Sequence, residues 1–567
     1  MMQSQFKVFL PLLFLSAVGA KAQTFEWGGR FGGIGEDVVR EMTADAAGNV
    51  YTTGYYTDSA DFNIGAGTYM MTSAGFYDVF IQKTDASGQF LWARSFGGAN
   101  FDYGTGVATD AQGNVYVTGV FQDSPDFDPG AGTAILTSNG AEDIFVVKLD
   151  ASGHFIWARS FGSPVYDESQ AIGVDDAGNV YITGYFNETA DFDPGPGTFE
   201  LTSAGFNDNF VVKLDAAGNL VWAKRFGNEE VDVALAMKVT GNGDQYITGI
   251  FRGTVDFDPG PGEAPVSVSG SSPGGFLLKL DAAGDFQMAR QISGTGGVVS
   301  YDIDLDAAGN IYLTGTFEET VDFDPGAGTF EMTALAYENG FITKLGAAGE
   351  LVWARQLSSM ETLIPYSISV DPSGHVYTSG YFENTADFNP DPAVEFELVP
   401  GPNNAMGAFL SHLDAQGNFV SAYEFGGVNY ADYHGVATDG QGNVYLSGAF
   451  ENTVDINPDP SPAMLDEVVA MEFRDNYLIK LRRGFASVQE SENTGMTLFP
   501  NPTSDAAVLQ ADGAWIGGGY TVYDQAGRRL SGGTLTSAQT RVDVSAFPKG
   551  MYFVHLPGNR VIKLVKQ

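Results

Sequence analysis

The chain has 567 residues, and its 70 acidic against 28 basic side chains give a formal net charge of −42. Nucleic acid and anionic lipid are excluded as principal partners, because either would have to approach against the field of the whole molecule. There is no cysteine, which removes disulfides, thiolate zinc sites, cysteine nucleophiles and lipoprotein acylation together, while 73 glycines, 24 prolines and 13% aromatics describe turn-punctuated β-structure with a large core.

Residues 1–22 read as a secretory signal. Lys7 precedes an apolar run over 8–18, and Ala20-Lys21-Ala22 supplies a small-x-small cleavage site before Gln23. The run is too short to span a bilayer, and no later stretch approaches twenty apolar residues, so an exported chain with no transmembrane segment is expected.

From 23 to 483 one phrase, Gly-Asn-Val-Tyr-x-(Thr/Ser)-Gly, recurs with variation. Its closing glycine falls at Gly54, Gly119, Gly184, Gly249, Gly315, Gly380 and Gly448, at intervals of 65, 65, 65, 66, 65 and 68 residues. The second copy resolves into four strands. Strand a covers 104–109, the turn 110–114 follows, and strand b covers 115–121. A long loop over 122–142 holds Asp126-Phe127-Asp128-Pro129-Gly130, then strand c covers 144–149, a turn covers 150–153, and strand d covers 155–161 with Trp157. Four short antiparallel strands with no helix-period segment are one propeller blade. The seventh copy stops after strand c at 477–481, and the missing strand d lies at the other end, where 25–33 matches 90–98. The pattern predicts an all-β, seven-bladed propeller of four-stranded blades, closed by the N-terminal strand so that no edge stays free.

On these residues, for example Asp215-Ala216-Ala217-Gly218-Asn219-Leu220-Val221-Trp222 and Asp143-Ile144-Phe145-Val146-Val147-Lys148-Leu149-Asp150, the units resemble the bacterial β-propeller repeat family SBBP. That family is defined by its blade, so the resemblance implies a fold and no particular reaction.

Residues 484–496 are a polar linker, and 497–567 form a separate module of short strands, expected as a small Ig-like β-sandwich. Pro500-Asn501-Pro502, Asp524-Gln525-Ala526-Gly527, Gly550-Met551-Tyr552 and a basic tail with Lys563 and Lys566 occur in that order. This succession resembles the type A sorting domain of the type IX secretion system. The resemblance implies export through the periplasm and across the outer membrane by that machinery. It also implies removal of the module by a sortase-like peptidase, with release or attachment at the outer cell surface. Acids and bases nearly balance from Glu490 onward, so the acidity belongs to the repeats.

Alternation of strand direction puts turns a–b and c–d on one face and the b–c and d–a connections on the other. On the second face Asp-x-(Asp/Asn) recurs in the b–c loops, with Asp126 and Asp128, Asp191 and Asp193, Asp256 and Asp258, and Asp322 and Asp324 as its full-acid forms. Two oxygen ligands per loop outside the cytoplasm suit Ca2+, although no loop has a complete EF-hand ligand set. The competing expectation makes the same aspartates caps of their own turns. A second set, Asp37, Asp102, Asp167 and Asp232, enters strand a and is expected at the axial mouth as ligand-binding groups. Trp27, Trp92, Trp157, Trp222 and Trp353 on strand d are expected to pack between blades, with Met288 and Ser421 in the other two copies. The string Gly270-Ser271-Ser272-Pro273-Gly274 lacks the following helix that a nucleophile elbow needs, and no catalytic residue is assigned. Departures from the repeat at 263–275, 393–407 and 461–474 mark where a specific site is expected. The expected function is non-catalytic binding or adhesion to an extracellular glycan or protein on the long-loop face. The alternatives are a polysaccharide-active hydrolase or lyase with carboxylates at the axial mouth, and a passive structural surface protein.

Overall fold

A computed structural model describes residues 23–335, 337–400, 406–425, 431–457, 464–466, 473–482, 496–499, 506–511, 519–523, 529–537, 539–545, 547, 549–556 and 560–566. The signal segment, almost all of the linker, and Pro500, Asn501, Pro502, Asp524 and Gly527 lie outside the described residues. The chain divides into two compact units, one of them Ala22–Arg483. Among the described residues there is no helix.

The larger unit is a ring of seven four-stranded antiparallel blades. Blade 1 has strands a to d at Asp37–Ala44, Val50–Tyr56, Asp78–Thr84 and Phe90–Phe96. Blade 2 has Tyr103–Thr109, Val115–Phe121, Asp143–Leu149 and Phe155–Phe161, within one residue of the parse from sequence. Blade 7 takes strands a, b and c from Ala431–Thr438, Val444–Phe450 and Asp475–Arg482, and its strand d is Thr24–Gly33, paired antiparallel with strand c from Thr24↔Arg482 to Phe31↔Asn476. Strands b and c are almost entirely buried, because each blade is covered on both faces by its neighbours, and they read as nearly continuous apolar runs. Strand d is the outer edge and alternates, with Leu91 exposed and Trp92 buried.

The junction between blades has a repeated design. The indole N–H of Trp92 donates to the carbonyl of Ala151 in the c–d turn of the next blade at 3.2 Å, and Lys83 Nζ, lying over the Tyr51 ring, donates to the same oxygen at 3.2 Å. Arg94 Nε donates to Gly153 O at 2.8 Å. Gly153 has φ +76, and a Cβ there would stand 2.9 Å from the Trp92 ring, so the turn needs glycine on two counts. Trp27, Trp157, Trp222 and Trp353 make the matching bonds to Ala86, Ala216, Ala282 and Ala415. Met288 covers Gly349 in the same way with its sulfur.

Blade 7 has no c–d turn, because its strands c and d come from opposite ends of the unit. The blade 6 side of that junction has accordingly lost its cover: Ser421, His412 and Tyr423 replace the Trp, Lys and Arg. Gln23 fills the place and is 3% exposed, donating to the Tyr377 hydroxyl at 2.9 Å while its carbonyl accepts from Tyr423 at 3.5 Å.

The b–c connections, expected as loops, contain short hairpins such as Thr189–Asp191 with Glu200–Thr202. The hairpin reaches back to strand d of the preceding blade, as in Gly32↔Asp61 and Gly162↔Asp191. The phenylalanine of Asp-Phe-Asp supplies the drive for this docking. Phe127 is fully buried, 5.8 Å from the Phe96 ring of blade 1 and 4.9 Å from Phe145 of blade 2.

In the second unit the described strands form a three-stranded sheet (Met496–Phe499, Ala506–Ala511, Gln539–Asp543) and a four-stranded sheet (Gly519–Tyr523, Arg529–Thr534, Gly550–Leu556, Arg560–Lys566). Leu509, Val522, Val542, Tyr552 and Val554 share one core. Lys566 Nζ donates to the carbonyl of Ser545 at 2.7 Å, and Lys563 lies in the last strand.

Deleting 24–33 removes strand d of blade 7 and bares the edge 475–482, so the truncated ring is expected to aggregate or to melt far below the intact one. An unchanged midpoint with a monomeric state would contradict closure. Trp157→Ala is expected to cost about 3–5 kcal/mol in a denaturant titration, whereas Ser421→Ala, where no turn needs cover, leaves the midpoint within error.

Candidate ligand site on the long-loop face

The aspartates of the b–c hairpins hold backbone. Asp126 Oδ1 accepts the amides of Asp128 (3.0 Å) and Ala134 (2.8 Å), and Asp128 Oδ1 accepts that of Gly130 (2.8 Å). Asp191 and Asp193, Asp256 and Asp258, and Asp322 and Asp324 repeat the arrangement. Each carboxylate keeps one oxygen outside the cap, and among the described residues no three metal-ligating side chains are gathered.

Asp37, Asp102, Asp167 and Asp232 stand at the start of strand a, yet all four are buried and none lines the channel. Asp102 Oδ2 accepts the amide of Gly98 at 2.6 Å and Oδ1 that of Gln122 at 3.0 Å; Asp232 accepts from Asn228 and Arg252. Asp37 accepts from Gly33, and Asp167 from Ser163 and Asn187. Burial raises all four carboxyls, Asp102 to about 7 and Asp232 to about 6.

The axial channel, about 840 Å³, is lined by strand a of all seven blades. Each strand a carries a β-bulge at one place, and in blades 1 to 6 the extra residue is Arg40, Thr105, Gln170, Leu235, Tyr301 or Tyr366. All six line the channel. Strand alternation hides them, yet the sequence carries a signal: across near-identical copies this column holds five residue types in six blades, so the fold does not dictate it. A bulge breaks the two-residue alternation and turns an otherwise unremarkable position inward.

Glu41, Lys238, Asp302 and Asp304 are the other charged lining groups. Lys238 Nζ is 2.7 Å from Asp304 Oδ1, which raises the lysine's pKa. Asp302 Oδ2 accepts from Ile368 N at 2.8 Å and Ser367 Oγ at 3.1 Å. Burial and Asp302 push Glu41 up to about 8, and burial pushes Asp302 to about 6.

Around the long-loop mouth of this channel lies a ladder of rings. Tyr55 stacks on Tyr77 at 4.4 Å, Tyr77 meets Phe101 edge-on at 5.1 Å, and Phe101 lies parallel to Phe76 at 5.3 Å. Glu36 accepts from the hydroxyls of Tyr55 (3.4 Å) and Tyr77 (3.2 Å), which together with burial keeps both phenols protonated. Arg40 lies over the Tyr103 ring at 4.5 Å and 3.8 Å from Glu168, to which Tyr185 donates. Phe76 is 62% exposed, and Tyr166 (59%), Phe206 (72%) and Tyr337 (70%) stand at neighbouring d–a connections or strand c entries of the same face. The departures at 263–275 and 393–400 are described, whereas 401–405, 458–463 and 467–472 lie outside the described residues.

Comparison with known proteins agrees with both halves of this picture. A family model for the SBBP β-propeller repeat matches residues 91–120 and 156–192, and one for a secretion system C-terminal sorting domain matches 497–567. A WD repeat-containing protein, L264, of Acanthamoeba polyphaga mimivirus is 23% identical over 507 residues, covering 76% of this chain and 36% of its own. The regulatory protein FlaEY of Caulobacter vibrioides is 24% identical over 429 residues, covering 72% and 41%. The chain thus spans about two fifths of the length of the curated relatives it matches. Among solved structures, PorZ, a surface component of the type IX secretion system of Porphyromonas gingivalis, is 10% identical with a TM-score of 0.18 over 95% of this chain and all of that one. The extracellular domain of a hybrid two-component system of B. thetaiotaomicron is also 10% identical with a TM-score of 0.18, over 96% of this chain and all of the other.

The larger unit is a seven-bladed β-propeller in which residues 91–120 and 156–192 match the SBBP repeat. The chain carries a type IX secretion sorting domain and is a secreted or outer-cell-surface protein.

Because Asn keeps the Oδ1 that accepts both amides, Asp126→Asn is expected to leave the melting midpoint nearly unchanged, whereas Asp126→Ala costs about 1–3 kcal/mol. Calcium and sodium chloride at matched ionic strength are expected to raise the midpoint equally, by screening the −42 charge. A rise specific to calcium and absent from Asp126→Asn with Asp128→Asn would establish metal in the hairpins.

Proposed function

We propose that the ring binds an extracellular glycan on its long-loop face, against the aromatic ladder at the channel mouth, and performs no chemistry on it. The observation that carries this reading is the exposed, ring-backed face of Phe76, one end of the line through Phe101 and Tyr77 to Tyr55. Exposed aromatic faces offer apolar contact to sugar rings, and Arg40, Glu36 and Glu168 beside them offer hydrogen bonds that fix orientation. The acidity of the ring favours a neutral or basic ligand over an anionic one. Type IX export brings the chain to where such polymers are met, and handling by that machinery's sortase-like peptidase is part of the same reading.

Phe76→Ala with Phe101→Ala is expected to abolish the signal on a glycan array without moving the melting midpoint by more than about 1 °C. Retained binding would remove the ladder from the site, and signal on immobilised surface proteins alone would make the ligand a protein. A second reading, a polysaccharide-active enzyme, is favoured by one observation: Glu41 and Asp302 face the same channel with carboxyls raised to different levels, as an acid and a base must be. Turnover of a polysaccharide that is lost in Glu41→Gln and in Asp302→Asn would establish it.

Removal of 497–567 is expected to leave the ring folded but held in the periplasm. Fractionation that finds the truncated chain outside the cell would contradict the role given to the module.

A further inference from the structure

The residue that opens strand c has a different companion on strand d in different blades. It is Asp208 beside Arg225 in blade 3 and Asp475 beside Arg30 in blade 7, and each Asp is ion-paired with its Arg. In blade 5 it is Asn339 beside Gln356, and in blades 1 and 2 it is Asp78 beside Ser95 and Asp143 beside Ser160. An arginine companion accompanies an aspartate, and the glutamine of blade 5 accompanies an amide, while in blades 4 and 6 the position is glycine, Gly274 and Gly407. The serine companion provides no charge.

Asn339 indicates what the position asks for. Its Oδ1 accepts the amide of Leu335 at 3.0 Å and Gln356 Nε2 at 2.9 Å, while its Nδ2 donates to the carbonyl of Ser359 at 2.8 Å. In blade 1 the accepting half is reproduced: Asp78 Oδ2 takes the amide of Ala74 at 3.0 Å and lies 3.5 Å from Ser95 Oγ. In blade 2 Asp143 Oδ2 takes the amide of Asn139 at 2.8 Å. The donating half has no counterpart: Oδ1 of Asp78 and Oδ1 of Asp143 are buried without a hydrogen-bond partner, as is Oδ1 of Asp208, but only Asp208 has a guanidinium on its other oxygen. By register, the carbonyl that corresponds to Ser359 is Gly98 in blade 1 and Ser163 in blade 2.

We propose that Asp78 and Asp143 are neutral carboxylic acids in the folded ring, each donating its Oδ1 proton to the carbonyl of Gly98 or Ser163 and so latching the b–c segment to the d–a connection. The groups that face them fit. Asp78 meets Ser95, the Tyr56 hydroxyl that donates to Ser95, and Asp102, with Asp37 beyond Tyr56; Asp143 meets Asp167. Asp102 accepts two backbone amides with its two oxygens, as does Asp167, so a proton on either would displace an amide although burial raises both, whereas Oδ1 of Asp78 and of Asp143 is free to carry one. Burial raises Asp78 and Asp143 to about 6. A carboxyl raised on folding stabilises the fold fully below its ordinary range near 4, and the contribution is lost as pH rises through about 6. The latched segment carries Phe76 and Tyr77, and Asp102 N bonds Tyr77 O at 2.9 Å, so an open latch also loosens the aromatic ladder. Only this effect on binding rests on the proposed function; the latch itself does not.

The test is a set of melts of the full chain at pH 5 and pH 8. Asp78→Asn with Asp143→Asn is expected to raise the midpoint at pH 8 by roughly 2 °C and to change it little at pH 5, since the amide donates at any pH. Asp208→Asn, which leaves Arg225 without its charge partner, is expected to lower the midpoint at both. A double variant that loses stability at pH 8 as Asp208→Asn does would overturn the latch. So would a rise of the wild-type midpoint at pH 8 on adding calcium chloride that is absent from the double variant, which would put a cation in the proton's place. Infrared difference spectra of the wild-type chain against the double variant separate this pair from the other buried carboxyls: a carboxylic-acid carbonyl band lost with the two aspartates is expected at pH 5, and a band of equal size in both proteins would overturn the assignment.

Discussion

The ring depends on one repeated contact, a large side chain on the outer strand of one blade, an indole in five of the seven, laid over the glycine turn of the next. A four-stranded blade has two apolar faces and cannot bury either alone, so its stability is the stability of its junctions. Trp92 over Gly153, with the indole N–H and Lys83 Nζ converging on Ala151 O, holds the turn face, and Phe127 between Phe96 and Phe145 holds the loop face. These are the columns in which the copies agree. Where the contact has nothing to cover, at the junction of blades 6 and 7, the tryptophan, lysine and arginine disappear together.

The fold was legible because repetition multiplies a weak signal. One copy of a strand pattern is ambiguous, but seven in register, with the orphan strand at 25–33 completing the orphan blade, admit one closed arrangement. The site was less legible, for two physical reasons. Sequence position places Asp102 at the start of strand a, but it does not reveal that the tight turn through Gly97 and Gly98 leaves an amide needing an acceptor, which draws the carboxylate inward. Nor does alternation survive a bulge, so nothing in the two-residue pattern marks Arg40 and Tyr301, although both face the channel. The aromatic ladder escaped because Tyr55, Phe76, Tyr77 and Phe101 lie on separate strands and connections and meet only where the link to blade 2 packs on the start of strand c of blade 1.

Acidity has a different meaning here from the one its abundance suggests. Carboxylates cap the turns, as Asp110 does by accepting the amides of Gln112 and Asn114, they cap the hairpins, and they hold the blade connections. Glycine-rich turns expose amides, and a short acidic side chain is the smallest acceptor that can reach two of them. Much of the net charge is therefore a by-product of backbone satisfaction repeated seven times. Glu36 and Glu168 at the channel mouth depart from that use, accepting tyrosine hydroxyls instead, and stand among the aromatic residues.

The pairing of Thr24 with Arg482 has a consequence for the order of events in making the molecule. The first strand of the ring to be synthesised is the last to find its partner, so the longest-range contact in the chain is also the one that completes it. Until residue 482 is available, strand d of blade 7 pairs with the blade 1 hairpin through Gly32 and Gly33 but has no blade of its own to join, and the strand a edge of blade 1 lacks its neighbour. The ring cannot be finished piecemeal during passage of an extended chain, and its completion coincides with arrival of the segment that leads into the sorting module. A protein arranged in this way reaches its finished form at one moment, late, and only when both ends of the ring are on the same side of the membrane.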